Sequence, residues 1–386
     1  MYDSFVRPIA YFATTLFEGV AEFLGGGGEL EAPPAAAEVT LPDDLFAHRD
    51  VQTEWWYYTG HCRTESGREF GFELVFFKRR TDLDKIGVLP MSLLANPFYA
   101  AHFAISDITD GNFRCEHIRS FGNAFDLPAS ASETSYDVRL GDWTVKESGG
   151  SHVLHAALGK DLTFDAVLET GKRLVLNGDD GNGISRKTTG ASHHFSFTRM
   201  SVAGRLSSGT TSERFTGSAW MDREFGRWEQ TNWDWFSIQF DDGAELMVYQ
   251  FRKVTGESDA DSTGTFIDQD GECTYLKHED FEIVATATWM SERTGTEYPA
   301  GWTVSVPSLD IEISVTPLIA DQELDTRGTT MIIYWEGACS VSGTHAGSSS
   351  PGRAYVELVG YDRSHENLSL TSFLFRDPLD RIAKLF

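Results

Sequence analysis

Between residues 218 and 226 the chain reads SAWMDREFG, and three of its side chains can do chemistry together. Alternate residues of an extended strand share a face, so Trp220, Asp222 and Glu224 point one way and Arg223 the other. A carboxyl desolvated among aromatic rings is pushed towards its protonated form, and a protonated Asp222 is then a proton donor near neutral pH. Glu224, on the same face, can assist as a second carboxylate or share a proton with it. The structural alternative is that Asp222 pairs with Arg223 or Arg227 and shapes a turn before Gly226.

A second stretch, TEWWYYTG at 53–60, supplies rigid, polarizable walls suited to a long unsaturated molecule. Alternation places Trp55 and Tyr57 on one side and Glu54, Trp56 and Tyr58 on the other, so both faces must be covered. The pattern leaves open which of Trp55 and Trp56 belongs to a core. Glu54 and Gln52 stand ahead of the aromatic run, where buried polar groups need partners.

These residues must be held by strands. From about residue 39 onward, short runs rich in aromatic and β-branched residues alternate with Gly, Asp, Asn and Ser clusters, and long amphipathic patterns are missing. The fold class expected is all-β, two antiparallel barrel or sandwich domains with a short N-terminal helix. The stretch EWWYYTGHCRTESGREFGFELVFFKRR resembles NWDWFSIQFDDGAELMVYQFRKV, with Trp56 and Trp233, and Gly67 and Gly243, offset by about 177 positions. The expected division is therefore 1–38, an amphipathic helix and flexible link; 39–210, a first β domain; and 211–386, a second. GRLSSGTTSERFTG supplies the boundary, or else a single hairpin loop.

With 386 residues, 41% hydrophobic and 13% aromatic, the chain can bury sizeable cores. A formal charge of −26, from 58 acidic against 32 basic residues, argues against nucleic acid as a partner. Cysteines 62, 115, 273 and 339 lie far apart without a CxxC pair, which favours reduced thiols. Phe12, Leu16, Val20 and Phe23 recur at helical spacing before Gly25 to Gly28, and Glu18 and Glu22 interrupt the apolar run. No spanning segment or secure signal peptide results. A cytoplasmic location is expected, with the helix as the candidate for peripheral membrane contact.

QTEWWYYTG, GSAWMDREFG, WDWFSIQFDDGAELMVYQFR and the late GRAYVELVGY together resemble the carotenoid 1,2-hydratase and AttH-like family, over nearly all of residues 40–362. The resemblance implies two lipocalin-like β domains and a greasy, unsaturated substrate. It further implies that Asp222 is the proton donor to a terminal double bond and that His194, with neighbouring His193, orients water or acts as base. The hydratases carry a Trp closely after that His; here Phe195 and Ser196 follow, which departs from a strict carotenoid hydratase. His102 and His48 also fall at family positions, as pocket or scaffold groups.

Substrate contacts are therefore expected from Glu54, Trp55, Trp56, Tyr58, His102, Trp220, Trp233 and Trp235, with Asp222, His194 and Glu224 as the catalytic set. No cofactor and no metal are expected, because His61 and Cys62 lack a second ligand pair and no phosphate loop or GxSxG elbow occurs. Three functions fit these residues: an acid-catalysed lyase or isomerase of a terpenoid or polyene C=C bond, a pericyclic cyclase, and a non-catalytic lipid or pigment carrier.

Overall fold

The computed structural model describes residues 39–362 apart from 83–84, 87–88, 91–96, 123–125, 179–180, 188–189, 229–231 and 254. The helix expected within 1–38 lies outside the described residues. Two large antiparallel sheets make up the fold, and helical structure among the described residues is limited to short 3-10 turns.

Ten strands carry the site: β1 (Thr53–Thr64), β2 (Glu69–Arg79), β3 (Phe98–Asp107), β4 (Asn112–Ser120), β5 (Gly190–Ser208), β6 (Thr211–Arg227), β7 (Asn232–Phe240), β8 (Glu245–Arg252), β9 (Ile333–His345) and β10 (Gly352–Val359). The first sheet runs β4-β3-β2-β1-β6-β5 and continues through Leu162–Thr170, Ser151–Leu158 and three shorter strands. The second runs Cys273–Lys277, Thr263–Ile267, β8-β7-β10-β9, then Ile311–Pro317, Trp302–Val306 and Glu282–Ala285.

Each sheet curls around its own apolar filling. Trp56, Tyr58, Phe72, Phe103 and Phe164 fill the first, and Phe236, Trp302, Val304 and Trp335 the second. A third cluster, including Trp55, Tyr57, Trp220, Trp233 and Trp235, is sandwiched where the sheets face each other. The sheets approach closely at Gly71, where an added Cβ would stand 2.8 Å from the Ala338 Cβ. His61 Nε2 meets the Ala354 carbonyl at 2.9 Å, and Gln239 Nε2 donates across the seam to the carbonyls of Thr198 and Ala219.

Two expectations shift. The division at 210 falls in the turn between β5 and β6, which pair with each other along most of their length in the first sheet. The change of sheet comes instead between Arg227 and Asn232. The internal resemblance is a pair of hairpins, β1–β2 and β7–β8, but Trp55 opposes Phe77 as Trp233 opposes Phe251. Trp55, rather than Trp56, is thus the counterpart of Trp233. The four cysteines are free, as expected, with Cys62 and Cys339 buried.

Candidate functional site

A narrow cleft with a cavity volume of about 40 Å³ lies between the sheets. Strand pairing lays its walls out in rows. On the first sheet Ser196, Asp222, Tyr57, Val75 and His102 are successive cross-strand partners, and His194, Glu224, Trp55 and Phe77 form the next row. On the second, Tyr249, Trp235, Glu357 and Glu336 make one row and Phe251, Trp233, Val359 and Tyr334 the next. Nearly all of these side chains line the cleft, because period-two alternation turns one face of each strand towards the opposing sheet.

Asp222 is surrounded by donors. Trp220 Nε1 donates to its Oδ1 at 2.6 Å and Ser196 Oγ at 2.5 Å, while His194 Nε2 stands 3.0 Å from Oδ2. Burial opposes the His194 imidazolium, but the carboxylates of Asp222 and Glu224 outweigh it and raise its pKa above the ordinary 6.5. With Nε2 engaged by Asp222, His194 Nδ1 is buried without a hydrogen-bond partner. Glu224 has partners of its own, Lys187 Nζ and Ser192 Oγ. Burial raises the Glu224 carboxyl, yet Lys187 and His194 prevail and hold it below the usual value.

The same cleft carries acids of a different kind, Glu73 on the first sheet and Glu336 and Glu357 on the second. Tyr57 Oη donates to Glu336 Oε1, Tyr334 Oη to Glu73 Oε1 at 3.0 Å, and Trp233 Nε1 to Glu357 Oε2 at 2.8 Å. Burial among apolar groups pushes Glu73 up to about 8 and Glu357 up to about 7, with the charges of Glu224 and Asp222 adding to the latter. Burial and the neighbouring Glu73 and Glu357 raise Glu336 well above its ordinary value. Glu73 and Glu336 are thus held as carboxylic acids at neutral pH, while Glu357 titrates there. Glu73 and Glu336 also hydrogen-bond to each other, whereas Trp235 Nε1 is buried without a partner.

Of the residues expected from the sequence, Asp222, His194, Glu224, Trp55, His102, Trp233 and Trp235 line the cleft together. Trp220 stands just behind it, holding Asp222. Three expectations are corrected. Trp56 is fully buried in the first core, its Nε1 donating to the Leu45 carbonyl and its ring under Arg223. Tyr58 points the same way and bonds to Tyr136 and to His152 Nδ1. Glu54 is clamped by Arg223, Lys78 and His48 on that same face, away from the cleft. His48 is thus scaffold, and Arg223 pairs with Glu54 rather than with Asp222.

Sequence reasoning missed Glu73, Glu336, Glu357, Tyr57 and Tyr334. A signal existed: GFELVFF, IYWEGAC and AYVELVG each hold one glutamate inside an apolar strand, which marks a buried carboxyl. Among the described residues no cluster of ligating side chains suits a metal ion, and no helix is long and apolar enough to cross a membrane.

Fold and site define a two-sheet β protein that buries acid–base groups in an aromatic cleft between its sheets. The AttH-like family pattern matches residues 32–361, and the chain belongs to the AttH-like family. A Nitrosomonas europaea protein assigned to AttH is similar in structure, with a TM-score of 0.74 and 30% identity over 86% of this chain and 99% of that one. Kievitone hydratase from Nectria haematococca shares the fold, with a TM-score of 0.64 at 16% identity, covering 85% of this chain and 94% of that one. By sequence, the dehydratase asqC of Emericella nidulans is 26% identical over 212 residues, 52% of this chain. The chain spans only 58% of that relative's length. Its distant relatives thus include hydro-lyases.

Proposed function

We propose that the protein is a cofactor-independent hydro-lyase or isomerase acting at a C=C bond of a hydrophobic, oxygen-bearing small molecule held in the intersheet cleft. One observation carries this: a base oriented by a carboxylate, His194 with Asp222, shares an aromatic cleft with the protonated acids Glu73 and Glu336. In the hydration direction, a glutamic acid gives its proton to the less substituted alkene carbon. The π electrons form the new C–H bond and leave a tertiary cation, which the faces of Trp55, Trp233 and Trp235 stabilise. Water adds its oxygen lone pair to the cation, and its proton passes to His194 Nδ1. Asp222 holds Nε2–H and thereby selects the tautomer with Nδ1 open. Dehydration is the reverse, and loss of a proton from a neighbouring carbon gives isomerisation.

In this reading the donor role expected for Asp222 passes to Glu73 and Glu336, because the Asp222 oxygens already accept three hydrogen bonds while burial holds the two glutamates in their protonated form. The unpartnered His194 Nδ1 and Trp235 Nε1 also support an oxygen on the substrate, since a pure hydrocarbon would leave both unsatisfied. Kievitone hydratase and the dehydratase asqC, by name, add and remove water, which supports the same class.

The test is to release and weigh by mass spectrometry whatever co-purifies from a lipid-rich extract. Asp222→Asn and Glu336→Gln should each lower turnover by about 10²- to 10⁴-fold and retain the precursor, while wild type yields a species shifted by one water or an isomer. The same unchanged lipid in all three proteins would instead support a carrier.

A further inference from the structure

A hydrogen-bonded chain runs from the flank of the molecule to the buried acids, and the reaction above does not use it. His117, half-buried on β4, places Nδ1 3.0 Å from Thr329 Oγ1. Thr329 Oγ1 lies 3.2 Å from His102 Nε2, and His102 Nδ1 lies 2.8 Å from Tyr334 Oη. Tyr334 Oη donates to Glu73 Oε1. His117 and His102 come from the first sheet, Tyr334 from the second and Thr329 from the loop that leads into β9, so the path exists only when the sheets are joined.

We infer that His117, Thr329, His102 and Tyr334 form a proton relay that recharges Glu73 after it has protonated the substrate. The inference rests on the acid role proposed for Glu73. Each member can accept a proton on one side and release one on the other: an imidazole through its two nitrogens, a hydroxyl through its lone pairs and its hydrogen. In one passage the N–H bond at His117 Nδ1 breaks as an O–H forms on Thr329. The Thr329 hydrogen moves to His102 Nε2, the His102 Nδ1 hydrogen to Tyr334, and the Tyr334 hydrogen to Glu73 Oε1. One proton enters, one arrives, and no member keeps a charge. Glu73 then carries its proton on Oε1, and a half-turn of the carboxyl about its bond to Cγ brings that proton to the cleft side for the next donation.

The loop after Thr326 is built to hold Thr329 between the two histidines. The Thr326 carbonyl accepts the backbone N–H groups of Thr329, Thr330 and Met331, and Thr326 Oγ1 meets Thr330 Oγ1 at 2.6 Å. At Gly328 an added Cβ would stand 3.0 Å from His117 Cε1, so a larger residue would press on the imidazole. Thr329 Oγ1 also lies 3.1 Å from the Thr326 carbonyl, a resting place for its hydrogen between transfers. The network ends on a carboxyl that lines the cleft and is hydrogen-bonded there to a second acid, Glu336.

The experiment follows hydrogen–deuterium exchange of the buried carboxylic acids by infrared spectroscopy of the full chain, with Glu73→Gln identifying the Glu73 C=O band. Thr329→Val should keep that band in place but slow its exchange by at least about tenfold, His117→Phe should do the same, and Thr329→Ser should restore the wild-type rate. Wild-type exchange in Thr329→Val overturns the relay. If that variant does not fold, wild-type exchange in His117→Phe overturns it equally. The acid role is read separately: turnover that survives Glu73→Gln removes both the acid and the reason for recharging it. Turnover lost in Glu73→Gln with unchanged exchange in Thr329→Val removes the relay alone.

Discussion

Two glutamates on the first sheet show how surroundings, rather than residue type, set chemical role. Glu54 and Glu73 are both buried, on opposite faces of neighbouring strands. Burial favours the neutral form of each, but Arg223, His48 and Lys78 bring Glu54 down to about 2, while Glu73, accepting from Tyr334, stays near 8. Glu54 is therefore a structural anion and Glu73 an available acid. Glu54→Gln strands the buried Arg223 and Lys78 charges and should cost about 3–5 kcal/mol in urea unfolding. Because the folded pKa is depressed, the Glu54 contribution is fully present above the unfolded value of 4.5 and is lost as pH falls through about 2. The variant should lose that part of the acid sensitivity. A stability within experimental error of wild type at neutral pH would show that the cluster is not what anchors this face.

The β1 hairpin is the element on which the site depends, since it offers one face to the first core and the other to the cleft. Trp55 and Trp56 are adjacent and similarly buried, yet their losses should differ. Trp56→Phe removes the donor to the Leu45 carbonyl and part of the surface under Arg223, a cost of about 1–3 kcal/mol in chemical denaturation. Trp55→Phe should leave unfolding within about 1 kcal/mol of wild type and weaken binding of the co-purifying molecule instead. The reverse pattern would mean that the faces of β1 have been misassigned. Alternation made the two faces legible in the sequence, and it also placed Trp220, Asp222 and Glu224 on one side and Arg223 on the other. What alternation cannot say is which face meets which neighbour. Trp56 and Tyr58 looked like ligand contacts for that reason, and the β5–β6 turn looked like a domain boundary because a turn and a linker share the same Gly, Ser and Thr. Glu336 and Glu357 become neighbours only through the pairing of β9 with β10, and they reach Glu73 only across the seam. No local pattern encodes that seam.

At the scale of the whole molecule, the cleft belongs to neither sheet, and its acids tie the joining of the sheets to pH. In the folded chain Glu73 and Glu357 hold protons up to about 8 and about 7, whereas the unfolded chain releases them near 4.5. Between those values the native state binds more protons than the unfolded one, so stability falls as pH rises from about 4.5 towards 8 and the loss levels off beyond. This slope is opposite in sign to that of Glu54 and lies in a separate window, so the two separate in a single series of urea titrations. Glu73→Gln and Glu357→Gln keep the shape and polarity of a neutral acid while removing the ionisable group. Each should flatten the decline in its own range and leave the acid limb unchanged. A bound molecule that donates no proton and contacts the neutral acids should flatten it as well, because ionising them would then break its hydrogen bonds. A wild-type stability that rises from pH 5 to 8 would mean that the cleft acids are ionised in the folded chain. In that case neither Glu73 nor Glu336 could serve as the proton source.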